Sequence, residues 1–431
     1  MVTGRGPIEL VSERPFRRLY LTRLMGQASD GVFNVALASY VLFNPTKAAT
    51  AGAAAQLFAV LLLPFCVIGP FAGVFLDRWR RAPLLVVANL IRAGVVLVVA
   101  ALVAAGVASP PFYVAALATL SVNRFILAGL SAALPHVADR PRLVLANAVS
   151  TTSGTLIAGL GGAVGYGIKT ATGSDWVVVV GASLGYVAAA LLARRIPADE
   201  LGPDFDAEPI ETREALRRVV RGLADGARHV WSHRPAGYAL AAIASHRFFY
   251  GISTISTLLL YRNYFNHASQ TGAALGGFGS ALAASGVGVA VAAVITPSAT
   301  RRLGTERWIS SLFLTAAAVV AVLVPLYQQW SLLLAAFGLG LIAQGSKICV
   351  DTLVQRSIDE GYRGRVFAFY DVLFNVAFVA AAGIAALIVP PNGKSYAVVA
   401  FMATGYVLTS LSYRFATRRL EPGAALVPEA V

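Results

Sequence analysis

The stretch Gly73-Val-Phe-Leu-Asp-Arg-Trp-Arg-Arg81 runs from the end of one long apolar segment, residues 52–76, into the short basic link before the next, residues 84–107. Each flanking segment is long enough to cross a bilayer as a helix, which takes about 20 mostly apolar residues. Basic residues in short links between membrane-spanning helices mark the cytoplasmic side. The stretch therefore predicts a polytopic membrane protein and places this link in the cytoplasm.

The composition excludes a soluble globular protein. Hydrophobic residues make up 57% and charged residues 13% of the 431 residues, whereas soluble domains carry about 25% charged residues. Twelve windows have the length and apolarity of a membrane-spanning helix. They cover approximately 17–42, 52–76, 84–107, 112–135, 144–168, 175–193, 237–261, 271–296, 308–327, 331–351, 366–389 and 396–415. The sequence therefore predicts an all-α integral membrane protein with twelve transmembrane helices.

The basic residues are distributed unevenly among the links. Of the 35 Lys and Arg, 26 fall in ends and links that are cytoplasmic when both termini are inside, four fall in the opposite links and five lie within helices. This bias follows the positive-inside rule and predicts cytoplasmic N and C termini. The formal net charge of +14 is therefore attributed to topology and to anionic membrane lipids, and binding of nucleic acid is not expected.

Residues 194–236 form the longest break between apolar windows. Within it, residues 212–231 place Arg side chains largely opposite an apolar side, a pattern typical of an amphipathic helix on the inner membrane surface. The break is predicted to be a cytoplasmic linker between two six-helix bundles, at 1–193 and 237–417, and residues 418–431 form a cytoplasmic tail.

The residues Gly73, Asp77, Arg78 and Arg81 resemble the signature that the major facilitator superfamily carries after its second helix, Gly-x-x-x-Asp-Arg-x-Gly-Arg-Arg. Arg80 stands where the signature has its inner glycine. The resemblance implies two six-helix bundles around a central cavity, transport by alternating access, and no enzymatic activity.

Two further stretches are similar to the branch of this superfamily that contains enterobactin exporters and macrolide efflux proteins. They are Leu134-Pro135 followed by Ala146-Asn-Ala148, and Arg363-Gly-Arg-Val366. The similarity favours an efflux function.

In this superfamily the motif implies a gate on the cytoplasmic side. The candidate gate residues are Gly73, Asp77, Arg78, Arg81 and Asp371. The carboxylate of Asp77 can meet the positive N-terminus of a helix from the other half, for which the eleventh helix is the candidate. The two arginines would pair with lipid phosphate or with nearby acids, and Asp139 is one candidate partner. Alternatively, these residues only follow the positive-inside statistics.

Asp30 lies near the middle of the first helix, with Gln27 three residues before it and Asn34 four residues after it. This spacing places the three side chains on one face. A buried carboxyl group can load and release a proton, because desolvation disfavours its charged form. Asp30 is therefore the candidate proton-coupling residue, and Gln27 and Asn34 are candidate substrate contacts. Alternatively, Asp30 makes a structural hydrogen bond to a neighbouring helix.

Four basic side chains also fall within predicted helices, namely Arg92, Arg124, His246 and Arg247. Arginine stays protonated in proteins, so each one needs a carboxylate or an anionic ligand. Arg124 and Arg247 are candidate substrate contacts, and His246 is a second proton-coupling candidate because imidazole titrates near neutral pH. The alternatives are a static pair between Asp30 and an arginine, a packing role for His246, and an Arg92 side chain that reaches the cytoplasmic face.

Two pairs of polar residues nearer the cytoplasm are four residues apart: Lys347 with Asp351, and Asp371 with Asn375. Each pair falls on one helix face and is predicted to serve as a gate or structural element.

The stretch 154–167 contains six glycines. Small residues at this spacing allow two helices to approach closely, and a packing role is predicted for them.

The working hypothesis is a secondary active transporter, multi-pass in a bacterial plasma membrane, that exports an amphiphilic small molecule or drug in exchange for protons. The first alternative is a transporter of an anionic amphiphile, such as a lysophospholipid or siderophore, which the four intramembrane bases favour. The second is a non-transporting membrane scaffold or sensor. The sequence predicts a monomer whose partners are the small-molecule substrate, protons and membrane lipids, with no cofactor and no metal.

Overall fold

The computed structural model describes residues 7–43, 50–67, 71, 76, 79–107, 110–139, 142–202, 212–267 and 269–418, and this part of the chain is helical without any β-strand. Long apolar segments account for the helices, because a backbone in a bilayer must satisfy its hydrogen bonds internally. The helices are α1 Pro7–Ser12, α2 Arg14–Leu42, α3 Ala51–Val67, α4 Arg81–Ala104, α5 Pro110–Val137, α6 Leu143–Thr172, α7 Asp175–Ala193, α8 Thr212–Ser232, α9 Arg234–Leu259, α10 Thr271–Leu303, α11 Thr305–Leu323, α12 Gln329–Ser357, α13 Glu360–Ile388 and α14 Tyr396–Arg418.

Eight helices in the described part of the chain combine the length and the apolarity of a membrane span, namely α4, α5, α7 and α10 to α14. The remaining four predicted windows overlap in sequence with α2, α3, α6 and α9. The prediction of an all-α membrane protein is confirmed. The count of twelve spans and the cytoplasmic position of both termini stay predictions.

The chain divides into two compact units. The first combines Met1–Val41 with Val60–Val219, and the second combines Leu42–Ala59 with Val220–Val431. The division within α8 falls inside the segment that the sequence assigns to a linker.

Close helix contacts in the first unit depend on glycine. A Cβ atom on Gly31 of α2 would lie 1.9 Å from the main-chain oxygen of Ala158 in α6, and one on Gly161 would lie 2.0 Å from that of Ala28. Real side chains do not fit at such distances, so α2 and α6 can pack backbone to backbone only with glycine at these positions. The predicted packing role is confirmed for Gly161 and Gly165, whose Cβ positions meet the main chain of α2, whereas nothing lies within 4 Å of the Cβ positions of Gly159 and Gly167.

Arg81 is buried at the start of α4. Its Nη1 donates hydrogen bonds to the main-chain oxygens of Ala132 (3.0 Å) and Leu201 (3.1 Å). The side chain thus ties the start of α4 to the end of α5 and to the segment after α7.

Asp139 pairs with Arg142, which precedes α6, and the two side chains approach to 2.6 Å. Arg142 also binds Glu13 at 2.5 Å. The hydrogen bonds that Arg142 donates to Glu13 and to Asp139 raise the pKa of its guanidinium above the usual value. Arg142, three residues away, thus binds the Asp139 carboxylate, and a pairing of Asp139 with Arg78 or Arg81 stays a prediction.

The second unit contains a similar close contact between α10 and α12. A Cβ atom on Gly288 would lie 2.0 Å from the main-chain oxygen of Phe337, and one on Gly340 would lie 2.1 Å from that of Ser285. α9 continues into a π-helical turn, Leu260–Tyr264. In this turn Arg262 is buried and donates from Nε to the main-chain oxygen of Leu42 at 3.0 Å.

The amphipathic helix predicted over 212–231 is present as α8. Its arginines 217, 218, 221 and 228 are exposed, and Val230 on the opposite side is buried. Val220 and Trp231 are 56% and 76% exposed. An exposed tryptophan at a helix end suits the boundary between membrane and water.

Candidate functional site

The first unit buries an ion pair between two membrane helices. Asp30 of α2 is 9% exposed and Arg92 of α4 is 0% exposed. Nη1 of Arg92 lies 2.9 Å from Oδ1 of Asp30. A charge in this setting needs a partner, because isolated ions are strongly disfavoured in a low-dielectric interior.

Two further helices complete the surroundings of this pair. The hydroxyl of Tyr186 in α7 donates to the same Asp30 oxygen at 2.9 Å, and Nη1 of Arg92 donates to Oδ1 of Asn123 in α5 at 2.6 Å. Nη2 of Arg92 donates to Oδ1 of Asn89 at 3.1 Å, one turn earlier in α4. The guanidinium carbon also lies 3.7 Å from the ring centroid of Tyr186, a cation–π distance.

We call Asp30, Asn89, Arg92, Asn123 and Tyr186 the buried polar network. It joins α2, α4, α5 and α7 through one carboxylate and one guanidinium. The structure contains the static Asp30–arginine pair that the sequence left open. The prediction that Arg92 reaches the cytoplasmic face is wrong, because the carboxylate and amide oxygens hold it inside the unit.

The remaining candidates of the first unit lie outside this network. Gln27 accepts a hydrogen bond from Nε of Arg23 at 3.2 Å, and Asn34 is exposed. Arg124 is half-buried on α5, next to the network residue Asn123. Of the three residues predicted to share one face of the first helix, only Asp30 belongs to the buried polar network.

His246 of the second unit is 2% exposed and lies among aromatic rings. Its ring centroid is 5.7 Å from that of Tyr406 and 5.9 Å from those of Tyr250 and Phe313. Neither ring nitrogen has a hydrogen-bond partner among the described residues. These contacts are those of a packing histidine, which is one of the alternatives that the sequence left open.

Arg247 is half-buried beside His246 and faces aromatic rings. Its guanidinium carbon lies 4.4 Å from the ring centroid of Phe374 and 4.5 Å from that of Phe378. No acidic side chain of the described residues forms an ion pair with it. Such a cation can receive an anionic group while its apolar surroundings receive hydrocarbon.

The two polar pairs, on α12 and α13, differ from each other. Nζ of Lys347 lies 2.7 Å from Oδ2 of Asp351, so the predicted pair is confirmed. Asn375 instead donates to the main-chain oxygen of Asp371 at 2.8 Å, and Asp371 is exposed.

The gate candidates are only partly covered by the structure. Gly73, Asp77 and Arg78 lie outside the described residues. Arg81 binds main-chain oxygens, and Asp371 is exposed.

Sequence reasoning missed three members of the buried polar network: Asn89, Asn123 and Tyr186. Asn89 precedes Arg92 by three residues and Asn123 directly precedes Arg124, so amides beside intramembrane arginines were a signal. Tyr186 gave none, because a tyrosine in an apolar helix is usually a packing residue.

The chain resembles known proteins along most of its length. A family model described as Major Facilitator Superfamily matches residues 19–382. Two uncharacterized MFS-type transporters, Rv0037c of Mycobacterium tuberculosis and Mb0038c of Mycobacterium bovis, are each 36% identical over 438 residues, covering 97% of this chain and 96% of theirs.

Two solved transporters share the fold at low sequence identity. A mutant of the nucleoside transporter NupG has a TM-score of 0.70 and 11% identity, covering 94% of this chain and 100% of NupG. The POT family transporter PepTSo has a TM-score of 0.67 and 11% identity, covering 96% and 99%.

The narrower resemblance to enterobactin exporters and macrolide efflux proteins stays a prediction. The family model covers most of the sequence, and the mycobacterial relatives align with nearly all of it. This chain belongs to the major facilitator superfamily and is a multi-pass membrane transporter, not an enzyme.

Proposed function

We propose that the protein exports an amphiphilic small molecule in exchange for protons, by alternating access in a bacterial plasma membrane. The observation that supports this function is the Asp30–Arg92 pair within the buried polar network. The mycobacterial source of the relatives supports the location.

The pair can respond to a proton in a defined way. Arg92 keeps its charge at any physiological pH, so Asp30 is the member that can be neutralised. Protonation of Asp30 removes the negative charge and leaves Arg92 with the amide oxygens of Asn89 and Asn123. Because the pair joins α2 to α4, its loss weakens one contact between these helices and favours a different arrangement of the unit.

The sequence-based assignments of the other residues belong to the same proposal. Gln27, Asn34, Arg124 and Arg247 contact the substrate, and Gly73, Asp77, Arg78, Arg81 and Asp371 form the cytoplasmic gate. His246 is not part of the proposed cycle, because its ring packs among aromatic side chains.

Proton exchange is measurable in inside-out membrane vesicles that contain the protein. Respiration acidifies the lumen and quenches the dye ACMA. Addition of a transported compound then releases lumenal protons and restores fluorescence. The probes are cationic rhodamine 6G and a fluorescent anionic lysophosphatidylglycerol. The wild type is expected to restore fluorescence with at least one probe, and Asp30→Asn is expected to abolish the response.

Asp351→Asn is the matched control, because it removes another intramembrane carboxylate that has its own basic partner, Lys347. Size-exclusion profiles establish that both variants are folded. An Asp30→Asn variant with an unaltered response contradicts the coupling role, and a wild type without any response contradicts proton exchange.

Transport of an anionic amphiphile is the second candidate function. It is favoured by the Arg247 guanidinium, which lies against Phe374 and Phe378 without an acidic partner among the described residues. A lysophospholipid or siderophore offers the matching chemistry, an anionic group joined to apolar surface.

A thermal-shift screen of the purified protein separates the two substrate classes. A ligand that binds only the folded state raises its apparent stability. Stabilisation by lysophosphatidylglycerol but not by rhodamine 6G supports the anionic candidate. The reverse result contradicts it.

A further inference from the structure

Two histidines and an aspartate of the second unit lie together at one end of α8. His229 and His233 are four residues apart, in the last turn of α8 and directly after it. Asp359 directly precedes α13. One donor atom from each of the three residues lies within 4.8 Å of the other two.

The histidine at position 229 presents a free nitrogen to the aspartate. Its side chain is 13% exposed, and Nε2 lies 3.4 Å from Oδ2 of Asp359. Nε2 has no hydrogen-bond partner among the described residues. Its ring stacks on Tyr362 with a centroid distance of 4.2 Å and an angle of 0°. The half-buried ring is thus held between Tyr362 and His233, whose ring centroid is also 4.2 Å away, and its Nε2 faces a carboxylate without a hydrogen bond of normal geometry.

The second histidine is held by contacts at Nδ1. This atom lies 2.9 Å from the main-chain oxygen of His229 and 3.1 Å from Oγ of Ser232. In the neutral tautomer that donates from Nδ1 to the carbonyl oxygen, the lone pair is on Nε2. This arrangement, in which one nitrogen donates to a carbonyl and the other binds the ion, is the usual one for metal-binding histidines.

We propose that His229, His233 and Asp359 bind a divalent transition metal ion of the zinc type. Two imidazole nitrogens and one carboxylate oxygen form a donor set that Zn²⁺ uses, with water in the fourth position. Bond lengths of about 2.0–2.2 Å place Zn²⁺ ligand atoms within about 4 Å of one another, so the cluster needs a small contraction. Asp359 can supply it by rotation, because its side chain is 73% exposed.

The ion would fasten the end of α8 to the start of α13. These elements already approach closely, since a Cβ atom on Gly226 would lie 2.7 Å from the main-chain oxygen of Arg365. The metal would add three bonds across this contact and hold the linker on the second unit. The proposal departs from the sequence-based expectation of no metal, because His229 lies within the predicted amphipathic helix, 212–231, and His233 lies two residues beyond it. The proposal does not depend on which substrate is transported.

The test uses the purified full-length protein with its affinity tag removed. Zn²⁺ binding is measured by competition with a chromophoric chelator, and Co²⁺ binding by the visible absorption bands of the substituted ion. The wild type is expected to bind one ion per chain. His229→Gln, His233→Gln and Asp359→Asn are each expected to weaken binding by at least about tenfold, as loss of outer-shell partners alone already costs 10–100-fold. His267→Gln, which removes an exposed histidine elsewhere, is expected to bind as the wild type does.

Asp359→Asn decides the result if a histidine variant does not fold, because it changes an exposed side chain. Unchanged affinity in Asp359→Asn overturns the three-ligand site. A wild type that binds no stoichiometric Zn²⁺ also overturns it, as does an equal loss of affinity in His267→Gln.

Discussion

At the scale of single residues, Arg92 has the most demanding position in the described chain. It is permanently charged, has no exposed surface and lies in a helix that is long and apolar enough to span the membrane. Asp30 neutralises its charge, and Asn89 and Asn123 accept hydrogen bonds from its guanidinium. The ring of Tyr186 lies against the guanidinium in a cation–π contact. Every one of these partners is therefore a determinant of stability as well as a candidate for function.

Removing one member of the Asp30–Arg92 pair is expected to lower the stability of the protein more than removing both members. Arg92→Gln leaves an uncompensated carboxylate, and loss of one partner of a buried pair costs about 3–5 kcal/mol. The double variant Arg92→Gln/Asp30→Asn removes both charges and should recover much of the thermal unfolding midpoint. The measurement is a double-mutant cycle in detergent, with Asp30→Asn as the fourth corner. Additive single and double effects would show that the two side chains are not energetically coupled.

Arg247 provides a second prediction for a single residue. Arg247→Gln should abolish the thermal stabilisation by lysophosphatidylglycerol, because it removes the cation that lies beside Phe374. Lys347→Gln is the control, since this cation already has Asp351 as a partner. Equal loss of stabilisation in both variants would mean that net charge, not the Arg247 position, attracts the lipid.

At the scale of helices, the contact between α2 and α6 makes a prediction about glycine. Gly161→Ala should lower the thermal midpoint, because overpacking costs about 1–3 kcal/mol and the new Cβ atom meets the main chain of Ala28. Gly167→Ala in the same helix has nothing within 4 Å of its Cβ position. It should be neutral or stabilising, since alanine is the better helix former by about 1 kcal/mol. Similar midpoints for the two variants would contradict the close contact.

The positions of helices were predictable from the sequence, but their rotation was not. Apolar windows located α4 and α7 because length and hydropathy depend on local composition alone. Whether Asp30 meets Arg92 or Arg124 depends on which face α4 and α5 turn inward, which is decided by packing against other helices. For the same reason Tyr186 could not be assigned to the site, although Asp30 could.

At the scale of the whole molecule, the distribution of basic residues predicts the orientation in the membrane. In a background without Cys66 and Cys349, Asn392→Cys should react with a membrane-impermeant maleimide in intact cells. Arg302→Cys should react only after permeabilisation. Both positions are exposed, so accessibility to the reagent depends on the side of the membrane. Labelling of Arg302→Cys in intact cells would contradict the predicted topology.

Assignment to a superfamily was possible from one link, although the structure does not describe Gly73, Asp77 and Arg78 within it. A short motif can identify a family because it records chemistry that many members share. The substrate cannot be assigned from a short motif, because its binding depends on side chains from several helices and is not determined by the fold. The contrast between Arg92, which is paired, and Arg247, which has no acidic partner in the described part of the second unit, is information that only coordinates provide.

The buried pair also has a consequence for the order of biosynthesis. Asp30 and Arg92 are 62 residues apart, so at about 5–20 residues per second the ribosome produces the arginine roughly 3–12 s after the aspartate. Tyr186 follows Asp30 by 156 residues and emerges later still. The carboxylate of α2 is therefore synthesised before the arginine of α4, and α7, which carries Tyr186, follows both. If α2 were missing or inserted late, Arg92 would face the lipid without a carboxylate partner. Such a chain should be retained by the translocon or degraded.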